Sequence, residues 1–297
     1  MKIFVILLLL EGIILHGSSD SVQTIPKFDL SKGLNIPGIV PGNLNNTKEV
    51  KLLPYEIDAI KQKAKDYIPE PVKSDDMVIM ETARGTMKLR LFPENAPKHC
   101  ENFKRLANSG FYDGTLFHRI IPGFMIQGGD ILSRDNDPKN DGRGGPGWVV
   151  DAEFNNIPHK RGILSMARSA DPNSAGSQFF ICVADAPHLD GQYTVFGEVL
   201  ENVHVVDHIV NTPTEYSQAA RMGKSAIPPG EDPDNWISLY DSKKKKKIYS
   251  KVPQFMKKAD YEFDMRNKIT SDRPALPLTI KKVRVLSAED YKNKENK

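Results

Sequence analysis

The chain has 297 residues, which is enough for one large domain or two modest ones. Its formal net charge is only +3, because 41 lysines and arginines are nearly balanced by 38 aspartates and glutamates. This balance argues against a dedicated nucleic-acid binder, which normally carries a concentrated basic face. Hydrophobic residues make up 39% of the chain, so most of it can fold around a core.

The first 19 residues are predicted to be a secretory signal peptide. Lys2 supplies a positive charge, residues 3–10 form an unbroken apolar run, and small residues follow at 17–19. This order is typical of a signal peptide, here cleaved near Ser19. The run is short for a membrane span, and Glu11 interrupts it; an uncleaved anchor stays open as the alternative. The sequence therefore predicts export.

Residues 20–75 are predicted to be an N-terminal extension. Its first part, up to about residue 50, contains Pro-Gly pairs and polar residues that are typical of irregular chain. From Pro54 onward, apolar residues including Ile57, Ile60 and Ala64 recur on one stripe. That spacing predicts a short helix that packs on the main domain or tethers it.

The compact domain is predicted to span residues 76–286. Apolar and charged residues alternate over 87–91, which is the period of a half-buried strand. Similar patterns predict further strands, in chain order, at 77–80, 116–121, 124–128, 162–167, 178–184, 194–199 and 278–286. Two helices are predicted, over 97–108 and 203–210. Many strands with few helices indicate a mostly antiparallel sheet or barrel.

Residues 216–268 interrupt this pattern and are predicted to be an insertion before the last strand. They contain a lysine run at 243–247 and a lysine pair at 257–258. A lysine run is usually a solvated loop, and nearby acidic residues offset this one; binding of an anionic surface or nucleic acid is the alternative. Residues 287–297 are predicted to be a C-terminal tail.

Cys100 and Cys182 are the only cysteines. Cys100 shares a predicted helical face with Phe103 and Leu106, and Cys182 ends an apolar, strand-like run. This context predicts two buried free thiols in preference to a disulfide. No cluster of histidines or cysteines in the sequence has the spacing of a metal site.

Two segments carry the candidate functional residues. Residues 117–130 (FHRIIPGFMIQGGD) have the pattern of two strands around a Pro-Gly turn, and residues 176–182 (GSQFFIC) that of another strand. Side chains alternate along a strand, so Gln178 and Phe180 share one face. An amide beside an aromatic ring suits a binding groove lined by apolar groups with a few placed donors.

Both segments resemble the signature stretches of the cyclophilin family. The resemblance includes residues 162–167, 189–191 and 195–197, runs from about Met77 to Thr214, and resumes near Arg273. It implies a peptidyl-prolyl cis-trans isomerase. The implied fold is a closed eight-stranded antiparallel β-barrel capped by two α-helices, here with the insertion before the last strand.

The resemblance also assigns roles to individual residues. Arg119 occupies the position of the family's catalytic arginine. Phe124, Met125, Phe180 and Leu189 match the proline pocket, Gln127 and Gln178 the groups that hold the substrate backbone, and Ala167 and Arg168 the strand end that pairs with the peptide. His118 belongs to the motif too, and is either a substrate contact or a structural histidine.

At two substrate-binding positions the sequence departs from the common animal pattern. His188 stands where many relatives have a tryptophan, and Tyr193 stands where they have a histidine. The smaller ring at position 188 is expected to weaken the rim that grips cyclosporin. The drug is therefore predicted to bind with reduced affinity.

The implied reaction needs no cofactor, because rotation about an X-Pro bond requires no nucleophile, base or metal. Expected partners are proline-containing peptides and unfolded or folding proteins; no nucleic acid, no stable membrane span and a monomeric chain are expected. The bacterial-like stretch Met166-Ala167-Arg168 favours a periplasmic location, with the secretory pathway as the equivalent in a eukaryote. A module that holds proline segments without catalysing rotation is the alternative, because one fold serves both functions.

Overall fold

The protein is described by a computed structural model over residues 51–135 and 137–295. The predicted signal peptide and the start of the extension lie outside these residues. The described part contains six α-helices: α1 (Pro54–Asp66), α2 (Pro97–Ser109), α3 (His204–Val210), α4 (Glu215–Met222), α5 (Lys258–Lys268) and α6 (Ala288–Glu295). Its strands are β1 (Met77–Thr82), β2 (Gly85–Leu91), β3 (Arg119–Ile121), β4 (Met125–Gly128), β5 (Ile163–Met166), β6 (Phe179–Cys182), β7 (Val195–Glu201), β8 (Trp236–Asp241), β9 (Lys246–Lys251) and β10 (Ile280–Leu286).

Eight of the strands form one curled antiparallel sheet in the order β10-β1-β2-β7-β5-β6-β4-β3. The two edge strands, β3 and β10, do not form a ladder with each other. Instead, the segment before β3 donates two backbone hydrogen bonds, from Gly114 to Ile280 at the start of β10 (2.8 Å) and from Phe117 to Leu278, two residues before it (2.9 Å). The sheet is thus a half-barrel, and its full closure stays a prediction.

The core inside the sheet is built around an aromatic cluster. The ring of Phe103 on α2 lies 5.2 Å from that of Tyr112, 5.8 Å from that of Phe179 and 5.5 Å from that of Phe196. All four side chains are buried, and the Tyr112 hydroxyl donates to the carbonyl of Ser177 at 3.0 Å. Large rings with one satisfied polar group supply much of a core's apolar area. They anchor α2 against β6 and β7.

The six helices of the described residues outnumber the three that the sequence predicted, one in the extension and two in the main domain. The pair predicted for the main domain corresponds to α2 and α3. Gly110 directly follows α2, and its φ of +85° suits glycine at a helix C-terminus. Helix α1 lies where the apolar stripe predicted a helix, and its Ile57 and Ala64 are buried in the main core. The extension therefore packs on the domain through this helix. None of the helices in the described residues has the length and apolarity needed to cross a membrane.

The insertion has its own regular structure, which the sequence did not predict. Strands β8 and β9 form a hairpin, and α4 and α5 pack with it around a small separate core of Ala219, Ile237, Leu239, Ile248, Tyr261, Met265 and Ile269. The lysine run is only partly a loop. Residues 243–245 lie in the hairpin turn, whereas Lys246 and Lys247 begin β9.

Cys100 and Cys182 are buried free thiols, which confirms the prediction made from their apolar context. Burial raises the pKa of each thiol to about 12. Both groups are therefore protonated at neutral pH and behave as small apolar side chains.

Candidate active site

Strand register brings the candidate residues together on one face of the sheet. Arg119 on β3 lies opposite Gln127 on β4, and Gln127 lies opposite Phe180 on β6. On the next strand, Phe180 is paired with Ser165 of β5. Residues directly opposite each other in antiparallel strands point to the same side. A guanidinium, an amide and an aromatic ring therefore stand side by side.

A pocket of about 340 Å³ opens at this face. Nine residues line it, and each is a residue that the sequence placed in the site: Arg119, Phe124, Met125, Gln127, Ala167, Arg168, Phe180, Leu189 and Tyr193. Its volume lies at the lower end of the range of small-molecule sites, roughly 300–1,000 Å³. The pocket is therefore sized for one small ring and its neighbouring peptide groups.

The base of the pocket is apolar and firmly supported. Met125, Phe180 and Leu189 are buried, and the ring of Tyr193 meets that of Phe180 edge-on at 5.9 Å. Beneath Phe180 lies the stacked ring of His159 at 6.0 Å. The sequence analysis missed this histidine, which lies 21 residues before Phe180 in a segment without a strand pattern.

His159 is held on both ring nitrogens. Nδ1 lies 2.9 Å from a carboxylate oxygen of Asp190, and Nε2 lies 2.9 Å from the hydroxyl of Ser165. Burial lowers the pKa of His159, and the Asp190 carboxylate only partly offsets that effect. A neutral, doubly hydrogen-bonded imidazole forms a rigid support for the Phe180 ring.

A chain of amides connects Arg119 to the protein backbone. The Arg119 guanidinium donates from Nη1 to Oε1 of Gln127 at 3.4 Å, and Gln127 donates from Nε2 to Oε1 of Gln178 at 3.0 Å. Gln178 in turn donates to the carbonyls of Gly142 and Gly144, both at 2.9 Å. Gln178 lines the neighbouring cavity of about 760 Å³ and not the apolar pocket, and its contact with the substrate backbone stays a prediction. Its contacts orient the Gln127 amide.

Arg168 and Tyr193 form one wall of the pocket. The Arg168 guanidinium lies 4.4 Å from the centre of the Tyr193 ring, and its Nη2 donates to the carbonyl of Gln192 at 2.9 Å. A cation over an aromatic face fixes the orientation of the ring. The tyrosine at this position therefore keeps a defined orientation towards the pocket.

Arg119 has a second partner, which the sequence analysis missed. Its Nε lies 3.4 Å from Oδ2 of Asp272, and the other carboxylate oxygen of Asp272 lies 2.7 Å from the Lys243 ammonium. The Arg119 side chain remains 46% exposed. Because 153 residues separate Arg119 from Asp272, no local sequence pattern predicts this pair.

His118 and His188 lie outside the lining of the pocket. His118 is 6% exposed, and neither of its ring nitrogens has a hydrogen-bond partner among the described residues. Burial lowers its pKa, so the ring is neutral at pH 7. His188 is exposed, and its ring lies 5.5 Å from that of Phe124 at the rim of the pocket.

The fold and the site thus define a class: a mostly β protein with a small apolar pocket beside an exposed arginine. The family model for cyclophilin type peptidyl-prolyl cis-trans isomerases matches residues 77–225, about half of the chain. A peptidyl-prolyl cis-trans isomerase of Synechococcus elongatus is 50% identical over 120 residues, which are 40% of this chain and 77% of that protein. One from Arabidopsis thaliana is 46% identical over 143 residues, which are 46% of this chain and 84% of that protein.

Among solved structures, a Cryptosporidium parvum cyclophilin type peptidyl-prolyl cis-trans isomerase, crystallised in the presence of the dipeptide Ala-Pro, is 28% identical with a TM-score of 0.48. That match covers 71% of this chain and 99% of the other. On the family model and the sequence relatives, this chain belongs to the cyclophilin-type peptidyl-prolyl cis-trans isomerases. It is an isomerase that acts on the peptide bond preceding proline.

Proposed function

We propose that Arg119 is the catalytic residue of this isomerase and that the apolar pocket beside it holds the proline ring of the substrate. The observation that carries the proposal is the position of the guanidinium at the edge of a 340 Å³ pocket based on Met125, Phe180 and Leu189. Gln127 lies between the two and offers an amide to the substrate backbone.

The chemistry needs little more than these groups. Rotation about an amide costs about 18–20 kcal/mol, because the nitrogen lone pair is delocalised into the carbonyl. In the twisted transition state the proline nitrogen regains its lone pair and accepts a hydrogen bond. A donor aimed at that nitrogen stabilises the transition state more than the ground state. Arginine suits this role because it stays charged and presents a rigid fork of donors.

The free energies involved show that the arginine and the pocket must both contribute to catalysis. An acceleration of five decades requires roughly 7 kcal/mol, whereas one hydrogen bond to a charged group contributes about 1.5–3 kcal/mol. The remainder must come from holding the proline ring, fixing one side of the amide and excluding water. An apolar pocket also strengthens the arginine contact, because water does not compete for it.

Replacement of Arg119 by alanine tests the proposal. In a prolyl isomerisation assay on an Ala-Pro peptide, the chain from residue 20 onward should be fast. Arg119→Ala should lose roughly 10- to 100-fold in kcat/KM, the value of one charged hydrogen bond.

Arg221→Ala, which removes an exposed arginine of α4, serves as the control and should keep full activity. A parent protein that binds the peptide yet is no faster than buffer would contradict catalysis and favour a holding module. Full activity in Arg119→Ala would overturn its assigned role.

We further propose that the clients are proteins folding outside the cytoplasm. Support comes from the charged start, apolar run and small residues within positions 1–19. Cell fractionation, with N-terminal sequencing of the mature protein, tests this proposal. An unprocessed protein found only in the cytoplasm would overturn it.

A further inference from the structure

A second cleft, of about 730 Å³, lies between the insertion and the sheet. One wall includes Arg119, Gln127 and the loop at 138–142, and the other includes Phe263, Asn267 and residues 270–273. The proposed active-site pocket is also lined by Arg119 and Gln127. The cleft and the pocket therefore adjoin each other at these two side chains.

The cavities that adjoin the pocket limit the path that a bound polypeptide can take. With its proline in the 340 Å³ pocket, a substrate longer than a few residues must leave that pocket along the surface. On one side it meets a cavity of about 760 Å³ that shares Gln127, Ala167 and Arg168 with the pocket. On the other side it crosses Arg119 and enters the cleft beside the insertion.

The charges in the cleft largely cancel. Three ion pairs lie in its lining: Arg119–Asp272 at 3.4 Å, Lys268–Asp264 at 2.7 Å and Arg273–Asp141 at 3.3 Å. The two other charged residues of the lining, Lys139 and Glu215, have opposite charges. A cleft with this balance does not select strongly charged ligands such as nucleic acid or an anionic surface.

Phe263 makes the cleft suited to an apolar side chain. It projects from α5 with 59% of its surface exposed, and the Lys139 ammonium lies 5.2 Å from its ring centre. The preceding aromatic residue of the helix, Tyr261, is instead buried in the small core of the insertion. One turn beyond Phe263, Asn267 presents an exposed amide to the same cleft. A ring for side-chain contact and an amide for backbone hydrogen bonds are what an extended peptide requires.

From these observations we infer that the cleft is a second substrate subsite, which binds the polypeptide segment flanking the proline and favours an aromatic or large aliphatic side chain there. The inference rests on the proposed function, because it takes the apolar pocket to hold the proline. The family match ends at residue 225, so the wall that carries Phe263 lies outside it. The part of the chain that matches the family supplies the isomerase pocket, and the insertion makes the enzyme selective among substrates.

Peptides of different length test the inference. The probes are a four-residue Ala-Pro peptide and two twelve-residue peptides with a central proline. One long peptide carries aromatic residues on both flanks, and the other has alanines in their place. NMR exchange measurements give kcat/KM for each. The full-length protein should prefer the long aromatic peptide over the long alanine peptide by roughly 3- to 10-fold, the value of one aromatic contact.

Matched variants assign this preference to the cleft. Phe263→Ala should abolish the preference and leave the short peptide unaffected. Phe255→Ala is the control, because Phe255 belongs to the same insertion and is 89% exposed but does not line the cleft. Asn267→Ala should weaken the turnover of both long peptides without altering that of the short one.

Other outcomes overturn the inference. Equal rates for the two long peptides in the parent protein would do so. An equal loss of the preference for the aromatic peptide in Phe263→Ala and in Phe255→Ala would also do so. A loss of activity on the short peptide in a correctly folded Phe263→Ala protein would show a general effect on the active site, and this would overturn the inference too. No acceleration of any peptide by the parent would overturn the proposed function, and this inference with it.

Discussion

At the scale of single residues, the orientation of Arg119 is the central feature. An arginine has five N–H donors, and two groups already occupy part of this set: Gln127 at Nη1 and Asp272 at Nε. The remaining donors stay available for a substrate. Asp272 is itself shared with Lys243, whose ammonium lies 4.2 Å from the centre of the Tyr216 ring. The carboxylate thus acts on Arg119 as a positioning group.

Replacing Asp272 with asparagine should lower kcat by roughly 3- to 10-fold with little change in KM, because the guanidinium loses a charged partner that limits its rotation. The exposed pair contributes at most about 1 kcal/mol to folding, and the backbone hydrogen bond from Ile120 to residue 272 is retained. Steady-state kinetics on a short Ala-Pro peptide measure the effect.

Two further variants separate positioning from a general loss of structure. Asp272→Glu should recover part of kcat, because it restores the charge. Glu231→Gln removes a comparable pair of the insertion, with Lys251 at 2.6 Å, and should leave kcat unchanged. Equal kcat in Asp272→Asn and the parent protein would contradict the positioning role.

At the scale of elements, the insertion is a small folded unit attached to the sheet. The β8–β9 hairpin, α4 and α5 bury a core of their own. Its hairpin turn carries Lys243, which pairs beside Arg119 with Asp272, a residue of the segment that follows the insertion. The cleft and the contact with the arginine both depend on this unit being folded.

Truncation of a buried side chain in that core should loosen the insertion selectively. Ile248→Ala leaves a cavity, and the expected loss is about 2–5 kcal/mol of local stability. Hydrogen exchange should show reduced protection of amides in β8, β9 and α5, while those of β1, β2 and β7 stay protected. Tyr240→Ala, at an exposed position of the same hairpin, should leave the amide protection of both sets of elements unchanged. Equal loss of protection in both groups of strands would show that insertion and sheet unfold together.

At the scale of the whole molecule, three buried histidines govern the response to acid. Burial lowers the pKa of His99, His118 and His159 below the ordinary value of 6.5, even though Glu153 faces the first and Asp190 the third. The unfolded chain therefore binds protons more readily than the folded one as the pH falls below 6.5, so the folded state loses stability there. Asp141 acts in the opposite sense, because burial raises its pKa to about 6.

The free energy of unfolding, measured with urea, should therefore fall as the pH is lowered from 7.5 to 5. Each titrating group changes the slope by at most about 1.4 kcal/mol per pH unit, and below pH 6 the Asp141 carboxyl offsets one histidine. Asp141→Asn should make the fall steeper in that range. A free energy that is constant or rises as the pH is lowered would contradict this account.

The sequence by itself determined the strands of the sheet. They rest on local order: side chains alternate along a strand, and a Pro-Gly turn brings Arg119 opposite Gln127, eight residues later. The residues that line the pocket were named by the family resemblance. Helix α1 was likewise visible as a stripe of apolar residues. The hairpin of the insertion was not, because the lysine run that forms its turn and the start of β9 has the composition of a loop.

Only the tertiary structure decided what surrounds these local elements. It placed Asp272 beside Arg119, His159 beneath Phe180, and Phe263 across a cleft from the loop at 138–142. It also showed that Gln178 contacts Gln127 and the carbonyls of Gly142 and Gly144. The physical reason is the same in each case. Such contacts join segments far apart in the chain, and their geometry follows from how whole elements pack, which no local pattern of side chains encodes.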